Sequence, residues 1–335
     1  MEKGNVRDGY ALAESIARRD HNNLFMTSRF FRDRRRYDAF CAFYAVMRLV
    51  DDRVDEVVVE AGPGSPERAV VEKELDAWSE AVRAAYLGRT ATGGRDGPSS
   101  RELMAAFLDA RRQFPVPLGL WESFFSAMRR DLAVDGFETF DDFLNYTEGA
   151  SVAPTTIYLF LLCAQPDERA AVSGSGGGPF RLPTGVDVAP CGRELGRFAY
   201  LVHVLRDLPR DLGTGEEGLW YLADEDLAAF GLSRMDLQAD LAAGQARPSV
   251  RRMLAAIGKR ARRSLDASER LLEPIFPRLT PDCAYVLRLI VNIYRELLER
   301  LEAATFDPFG GVHLLTSRDR ERIAVQTARE ACYSG

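Results

Sequence analysis

The amino-acid sequence predicts an all-α protein that folds as a single domain over residues 1–335. Apolar residues recur at helical spacing, and strong helix formers dominate most of the chain. No run alternates between apolar and polar residues as a half-buried strand does, and no Asn-Gly turn joins two β-branched runs. Apolar residues make up 46% and charged residues 28% of the sequence, which is typical of a globular protein with a sizeable core.

Helical periodicity sets the order of the elements along the chain. The predicted helices span residues 8–20, 34–58, 66–87, 101–113, 120–133, 140–170, 192–212, 234–243, 249–273, 281–304 and 317–331. Prolines mark turns between several of them, at positions 63, 66, 115, 117, 274, 277 and 281. Two glycine-rich segments, residues 88–100 and 173–192, interrupt the pattern. We expect both to be mobile loops rather than domain linkers, because the helices on either side look unable to close separate cores.

The overall composition excludes several classes of protein. The formal net charge is −6 and the sequence pI is about 5.4, which argues against a nucleic-acid partner. The five cysteines are widely spaced without a Cys-x-x-Cys pair, which argues against zinc and favours a reducing, cytoplasmic setting. The first residues lack the apolar core of a signal peptide. The longest apolar run, residues 157–164, is too short to span a bilayer, which leaves peripheral membrane contact and the oligomeric state open.

Two aspartate motifs carry the strongest chemical signal. Asp51 and Asp55 stand at i and i+4 in the first motif, and Asp207 and Asp211 have the same spacing in the second. This spacing puts both carboxylates of a pair on one face of a helix. Each motif follows a nearly all-apolar run, where an unpaired carboxylate is costly. The alternative, with 50 acidic residues in the chain, is that such pairs lie on solvated faces by chance.

Two such faces turned toward each other would form a cage of oxygen ligands. Mg²⁺ suits this cage, because it takes one or two carboxylates, keeps several waters and shares the phosphate oxygens of a substrate. The expected chemistry is therefore the Mg²⁺-assisted ionisation of a diphosphate.

Four sequence motifs follow one another along the chain in a recognisable order and spacing. They are residues 21–31, 44–55, 146–154 and 205–211, and Tyr221 follows the last of them. On these motifs the sequence resembles the squalene/phytoene synthase family, the head-to-head branch of the isoprenoid synthases, over most of residues 15–300. The resemblance implies a large helical bundle with a central apolar cavity. It also implies an Mg²⁺-dependent prenyltransferase that acts on an allylic isoprenoid diphosphate.

The resemblance implies roles for individual residues. The metal ligands would be Asp51, Asp55, Asp207 and Asp211. The groups that contact the diphosphate or close over the substrate would be His21, Arg48, Arg206 and Tyr221. Tyr146 would face the reacting carbons, where an aromatic ring can stabilise a carbocation. The alternatives are a surface His21, an Arg48 that only pairs with a neighbouring aspartate, and a Tyr146 that belongs to the core.

The chain departs from the family pattern around the second aspartate motif. Where the family commonly has Gln-x-x-Asn, this chain has Tyr200 and His203. Because Mg²⁺ prefers oxygen to imidazole, His203 is a candidate ligand, a base, a hydrogen-bond donor to diphosphate, or a buried histidine bonded to backbone. Pro209 predicts that the helix kinks or ends within the motif, which makes Asp207 a safer ligand than Asp211.

Two further departures bear on a second diphosphate. Residues 150–154 lack both glycines of the family's Ala-Gly-x-Val-Gly motif, which narrows the approach of backbone to ligand. An arginine that commonly precedes the position of Tyr221 is missing, and Glu216 and Glu217 would repel a diphosphate near them. We therefore expect an intact first diphosphate site and an altered second one.

These departures leave the second substrate open. The family favours a second isoprenoid diphosphate, joined to the first in a phytoene- or squalene-type head-to-head condensation. The alternative is an aromatic acceptor of secondary metabolism, in a pocket shaped by Tyr146, Tyr200, Trp220 and His203, with His203 taking the arenium proton. A third hypothesis is a non-catalytic helical homologue, against which the four motif aspartates and Arg48 argue. The catalytic candidates are Tyr146, Tyr200 and His203.

Overall fold

The structure, a computed structural model, describes residues 3–19, 23–88, 101–166, 180–213, 220–311 and 314–333. These residues are almost entirely helical, which confirms the predicted all-α class. The α-helices, in chain order, are α1 (Lys3–Ala17), α2 (Asn23–Ser28), α3 (Arg34–Glu60), α4 (Pro66–Tyr86), α5 (Arg101–Gln113), α6 (Leu118–Ala133), α7 (Phe140–Thr147), α8 (Ala153–Cys163), α9 (Ala189–Gly213), α10 (Asp224–Ala229), α11 (Arg234–Ala243), α12 (Pro248–Leu272), α13 (Pro281–Ala303) and α14 (Ser317–Tyr333).

The sequence locates the long helices well and misses the shortest ones. α2 and α10 have six residues each, fewer than two turns, so a helical period has no room to repeat. Within the described part of the chain, no helix is both long and apolar enough to cross a membrane.

The helix predicted over 140–170 is confirmed for residues 140–163, where it includes a π-helical stretch, and is wrong for residues 164–166. α7 runs into a π-helix (Glu148–Val152), α8 follows it, and a two-residue strand β1 (Gln165–Pro166) comes next. β1 pairs antiparallel with a second short strand, β2 (Phe180–Arg181). The sequence predicts no strand here because two residues are too few for an alternating pattern.

The predicted loops are only partly described. Beyond its first residue, the loop at 88–100 lies outside the described residues, and so does 173–179 of the second loop. The remainder of the second loop is structured, since Phe180 lies in β2 and α9 begins at Ala189. Phe180 is fully buried and stacks on Phe114, with ring centroids 4.2 Å apart. The loop prediction is therefore wrong for residues 180–181 and 189–192, which lie in β2 and α9.

Two long helices form the frame of the bundle. α3 packs against α1, α4, α5, α6 and α8, and α9 packs against α8, the π-helix, α12 and α13. The Asp33 side chain caps the start of α3 by accepting a hydrogen bond from the Arg35 backbone N–H. Each of the two helices carries one aspartate motif in its C-terminal half.

Two glycines let the π-helix sit close to its neighbours. A Cβ on Gly149 would lie 2.1 Å from the Ser123 carbonyl oxygen of α6. A Cβ on Gly196 of α9 would lie 2.7 Å from the Cα of Val152. Only glycine permits these backbone contacts, which hold the segment after Tyr146 between α6 and α9.

An aromatic cluster joins three helices in the core. The rings of Phe43 (α3), Phe107 (α5) and Trp121 (α6) meet edge to face, with centroids 4.9 to 5.6 Å apart. All three side chains are at most 1% exposed. Such ring pairs contribute roughly 0.5–1.5 kcal/mol each beyond the burial of their area.

Phe107→Ala is expected to lower the free energy of unfolding by about 3–5 kcal/mol, because it removes buried contacts and leaves a cavity. Phe30→Ala makes the same change at a ring that is 45% exposed, and it should cost clearly less. Urea unfolding followed by circular dichroism measures both values. Equal losses would show that the cluster around Phe107 is not the core contact assigned to it.

Candidate active site

The four motif aspartates lie at the C-terminal halves of α3 and α9. Asp51 and Asp55 are helical residues of α3, and Asp207 and Asp211 are helical residues of α9. Of the two expectations for Pro209, a kink or an end of the helix, the end is wrong, since α9 continues to Gly213. Proline removes only one backbone N–H, and the remaining helical hydrogen bonds and packing keep Asp211 within the same element.

Arginine side chains neutralise both motifs. Arg206 donates two hydrogen bonds of 2.6 Å to the two oxygens of Asp207. Arg210 donates to Asp211 Oδ1 at 3.1 Å and lies 3.4 Å from Asp207 Oδ2. Arg206 therefore contacts the second motif itself, where a diphosphate would also sit.

On α3, Arg48 forms ion pairs with the aspartates of the first motif. It lies 3.3 Å from Asp51 Oδ2 and forms a second ion pair with Asp52. The ion pairs proposed as the alternative for Arg48 are thus present. A guanidinium also forms bidentate, charge-assisted hydrogen bonds with phosphate, so these pairs hold Arg48 at the site rather than exclude it from substrate binding.

The two motifs face each other closely enough to interact. Loss of hydration, together with the charges of Asp207 and Asp55, raises the pKa of Asp211 to about 6 despite the charge and hydrogen bond of Arg210. Loss of hydration also raises the pKa of Asp55, while the charges of Arg48 and Arg210 act in the opposite direction. Charges on α9 therefore reach Asp55 on α3, and charges on α3 reach Asp211. Opposed carboxylates of this kind favour a cation between them.

The carboxylate pairs fit Mg²⁺ by the type of ligand they offer. Among the described residues, no set of three or more His, Cys, Asp or Glu side chains lies close enough to hold a metal ion by itself. Mg²⁺ needs no such set, because it binds through one or two carboxylates and completes its shell with waters and substrate phosphate. The arrangement therefore suits a cation that arrives together with a diphosphate.

Three tyrosines predicted from the sequence come together beside the motifs. The Tyr200 hydroxyl donates to the Tyr146 hydroxyl at 3.2 Å. The rings of Tyr146, Tyr200 and Tyr221 have centroids 5.8 to 6.2 Å apart. Burial, aided by the charge of Asp131, raises the pKa of each phenol well above its usual range. The three hydroxyls therefore stay protonated and act as hydrogen-bond donors at neutral pH.

Backbone pairing positions Tyr221 in this cluster. The Trp220 N–H donates to the Asp135 carbonyl at 3.0 Å, and Phe137 forms a parallel bridge with Ala223. Trp220 is buried and lines a small, mostly apolar cavity with Tyr221 and Asp211. Trp220 therefore lies next to the second aspartate motif, where the sequence predicts a pocket for an aromatic acceptor. Glu216 and Glu217 lie outside the described residues, and so does His21.

Asp131 of α6 is a site residue that the motifs do not reveal. It is 3% exposed, and its Oδ2 accepts a 3.0 Å hydrogen bond from Tyr146, whereas its Oδ1 has no hydrogen-bond partner. Burial raises its pKa well above the usual range, and the charges of Asp55 and Asp51 add to the effect. Its helical spacing from Phe124 and Met128 on the apolar face of α6 is the sequence signal that indicates a buried carboxylate.

His203 pairs with a second residue that sequence analysis misses. Its Nε2 lies 2.6 Å from the hydroxyl of Tyr294 on α13, so the partner is a side chain and not backbone. Burial lowers the pKa of His203 to about 3, and the positive charges of Arg206 and Arg210 act in the same direction. His203 is therefore a weak base, which argues against its predicted role as the group that takes a proton.

The fold and site together define an all-α protein with two opposed acidic motifs beside a tyrosine cluster. The squalene/phytoene synthase family model matches residues 17–328, and the chain belongs to this family of prenyltransferases.

Known relatives and solved structures agree with this assignment. The chain is 23% identical to a phytoene synthase of Arthrospira platensis over 303 residues, which cover 90% of this chain and 86% of that protein. A crystal structure of a dehydrosqualene synthase in complex with ligand aligns over 98% of both chains, with a TM-score of 0.71 and 20% identity. The squalene synthase HpnC from Alicyclobacillus acidocaldarius aligns over 92% of this chain and 98% of its own, with a TM-score of 0.68 and 21% identity. These structural likenesses confirm the fold.

The protonation of His203 can be followed directly, because the sequence contains only three histidines. Since its pKa is about 3 in the folded protein, its imidazole NMR signals should stay constant between pH 8 and 5. His203→Gln identifies the signals by their loss. The unfolded chain takes up this proton near pH 6.5, so His203 should reduce stability as the pH falls from 6.5 toward 3. A signal that titrates near pH 6.5 in the folded protein would contradict the assignment.

Proposed function

We propose that the protein is an Mg²⁺-dependent prenyltransferase that ionises an allylic isoprenoid diphosphate and couples the prenyl cation to a second isoprenoid diphosphate. The observation that carries this proposal is the meeting of two acidic helix faces directly beside a buried tyrosine cluster. The first element suits a diphosphate with its cations, and the second suits a carbocation. Membership of the squalene/phytoene synthase family supports the head-to-head form of the reaction.

The diphosphate end of the site would work by charge. Asp51 and Asp55 on α3 and Asp207 and Asp211 on α9 would hold Mg²⁺, which neutralises the negative charge that develops on a leaving diphosphate. Arg48, Arg206 and Arg210 would turn from these carboxylates to the phosphate oxygens, where their fork of N–H groups binds bidentately.

The hydrocarbon end of the site would work by aromatic contact and exclusion of water. The charge of Asp51 reaches Tyr200, and Phe137 and Phe143 pack against Tyr146 and Tyr200 with ring centroids 5.1 and 5.8 Å apart. A cation over such rings gains about 0.5–2 kcal/mol per contact. Burial also keeps water from capturing the cation before coupling.

A specific observation favours an aromatic acceptor as the second candidate for the other substrate. Tyr200 and His203, which stand where the family commonly has Gln and Asn, are bonded to Tyr146 and Tyr294 respectively. Neither side chain offers the amide oxygen that would help bind metal for a second diphosphate. An electron-rich aromatic ring needs no such ligand and would stack on the tyrosines.

Product analysis by mass spectrometry separates the two candidates. The protein is given Mg²⁺ and a panel of allylic diphosphates of different lengths, each alone and then with a mixture of aromatic acceptors. A doubled hydrocarbon or cyclopropyl diphosphate from the diphosphate alone is the expected result. Product that forms only with an acceptor would instead establish acceptor prenylation. No diphosphate release in either case would point to a non-catalytic homologue.

Asp55→Asn should lower turnover by roughly 100-fold or more, because it removes a group that stabilises the developing charge through the metal. Loss of hydration and the nearby Asp52 charge raise the pKa of Asp55 despite Arg48, so folding penalises its ionised form. The variant should therefore be as stable as the wild type, or more stable, in metal-free buffer. Asp266→Asn, at an exposed position of α12, is the matched control and should retain activity.

Chelation by EDTA should abolish diphosphate release, and added Mg²⁺ should restore it, if the carboxylate pairs act through the cation. Release of inorganic diphosphate in a coupled colorimetric assay measures both steps. Turnover that persists in EDTA would rule out the proposed metal dependence.

A further inference from the structure

The buried carboxyl of Asp131 is only half satisfied. One oxygen accepts the Tyr146 hydroxyl, and the other is shielded from solvent without a hydrogen-bond partner. A buried polar atom normally has a partner, and leaving one out costs about 1–3 kcal/mol. A group kept in this state next to an active site calls for a functional reason.

Asp131 ends a chain of hydrogen bonds that begins at the site. Tyr200 is partly exposed, and its hydroxyl donates to Tyr146 at 3.2 Å. Tyr146 is 5% exposed and donates to Asp131 at 3.0 Å. The acceptors become more buried along this series of hydrogen bonds, which therefore leads from the site into the interior of the bundle. Tyr200 stands at the position where the family commonly has glutamine.

We propose that Tyr200, Tyr146 and Asp131 form a proton relay that removes the proton lost when the coupled carbocation becomes neutral. The inference rests on the proposed function, because only prenyl transfer generates such a cation. It holds for either candidate acceptor, since cyclopropane closure and rearomatisation both release one proton.

The step balances as follows. Departure of diphosphate takes the C–O electron pair, and the prenyl carbon forms a C–C bond with π electrons of the second substrate. A C–H bond of the resulting cation then breaks, and its electron pair closes the ring or restores the double bond. The Tyr200 oxygen receives this proton as its own proton moves to Tyr146, and the Tyr146 proton moves to Asp131. The ionised carboxyl becomes neutral, and both phenols end as they began.

Asp131 suits the terminal position better than His203 does. The His203 ring is engaged with Tyr294 and lies near the positive charges of Arg206 and Arg210, which oppose its protonation. Asp131 has an open oxygen, and it can accept the proton only if its carboxyl is ionised before the diphosphate leaves. Burial and the charges of Asp55 and Asp51 raise the pKa of Asp131, and cations bound between those aspartates and the diphosphate would offset the two charges and favour the ionised form.

The test compares two rates in single-turnover reactions, namely release of diphosphate and formation of coupled product. Asp131→Asn and Tyr200→Phe keep the shape of the side chains and interrupt the relay at opposite ends. Whatever the rate of diphosphate release in each variant, formation of coupled product should fall by a larger factor, because ionisation does not use the relay. Coupled product per diphosphate released should fall at least about tenfold, with prenyl alcohol or an elimination product of the prenyl cation making up the difference.

Another tyrosine–aspartate pair provides the matched control. The Tyr10 hydroxyl donates to Asp109 at 2.8 Å, between α1 and α5 and outside the site. Tyr10→Phe and Asp109→Asn should leave the ratio of product to diphosphate at the wild-type value. Circular dichroism shows whether each variant folds, and Tyr200→Phe tests the relay even if Asp131→Asn does not fold.

Two outcomes overturn the relay alone. Variants that keep the wild-type ratio show that the proton leaves by another route. Variants in which both rates fall in parallel show that Asp131 and Tyr200 only support the structure of the site. Wild-type protein that releases no diphosphate from any member of the panel would overturn the proposed function, and the relay with it.

Discussion

Repulsion between carboxylates at the facing halves of α3 and α9 is the constraint on which the rest of the site depends. Asp207 and Asp211 are partly buried, whereas Asp55 is exposed, and a folded protein holds such charges near one another only where cations offset them. Arg48 supplies that offset on α3, and Arg206 and Arg210 supply it on α9. Two long, well-packed helices are needed to hold these charges in opposition, which is why the core centres on them.

The carboxylates of α3 and those of α9 differ in how closely arginine side chains bind them. Arg206 holds both oxygens of Asp207 at 2.6 Å, and its hydrogen bonds and charge overcome burial to lower the pKa of that carboxyl. On α3 the Arg48–Asp51 contact is longer, at 3.3 Å. Charge-assisted bidentate pairs are the stronger kind, so Asp207 is more neutralised than Asp51. With His203 bonded to Tyr294 on the same side, the altered half of the site is the one α9 provides.

The aromatic half of the site combines one buried tyrosine with two partly exposed ones. Tyr146 is buried and bonded to the buried Asp131, and the rings of Tyr200 and Tyr221 pack against it. Low dielectric strengthens every interaction there, including the repulsion of Asp131 by Asp51 and Asp55. A cation formed between the motifs and the tyrosines would therefore be stabilised from both sides.

The sequence by itself determined the helices that carry the chemistry and the charges on them. Apolar periodicity and the i, i+4 spacing are local properties, so Asp51 and Asp55 could be placed on one helix face without a fold. Only the tertiary structure decided which groups meet across the bundle and how much water reaches them. His203 and Tyr294 are 91 residues apart, and the open oxygen of Asp131 is visible only once its surroundings are known. Burial and the fields of distant charges set protonation, and neither is encoded in spacing along the chain.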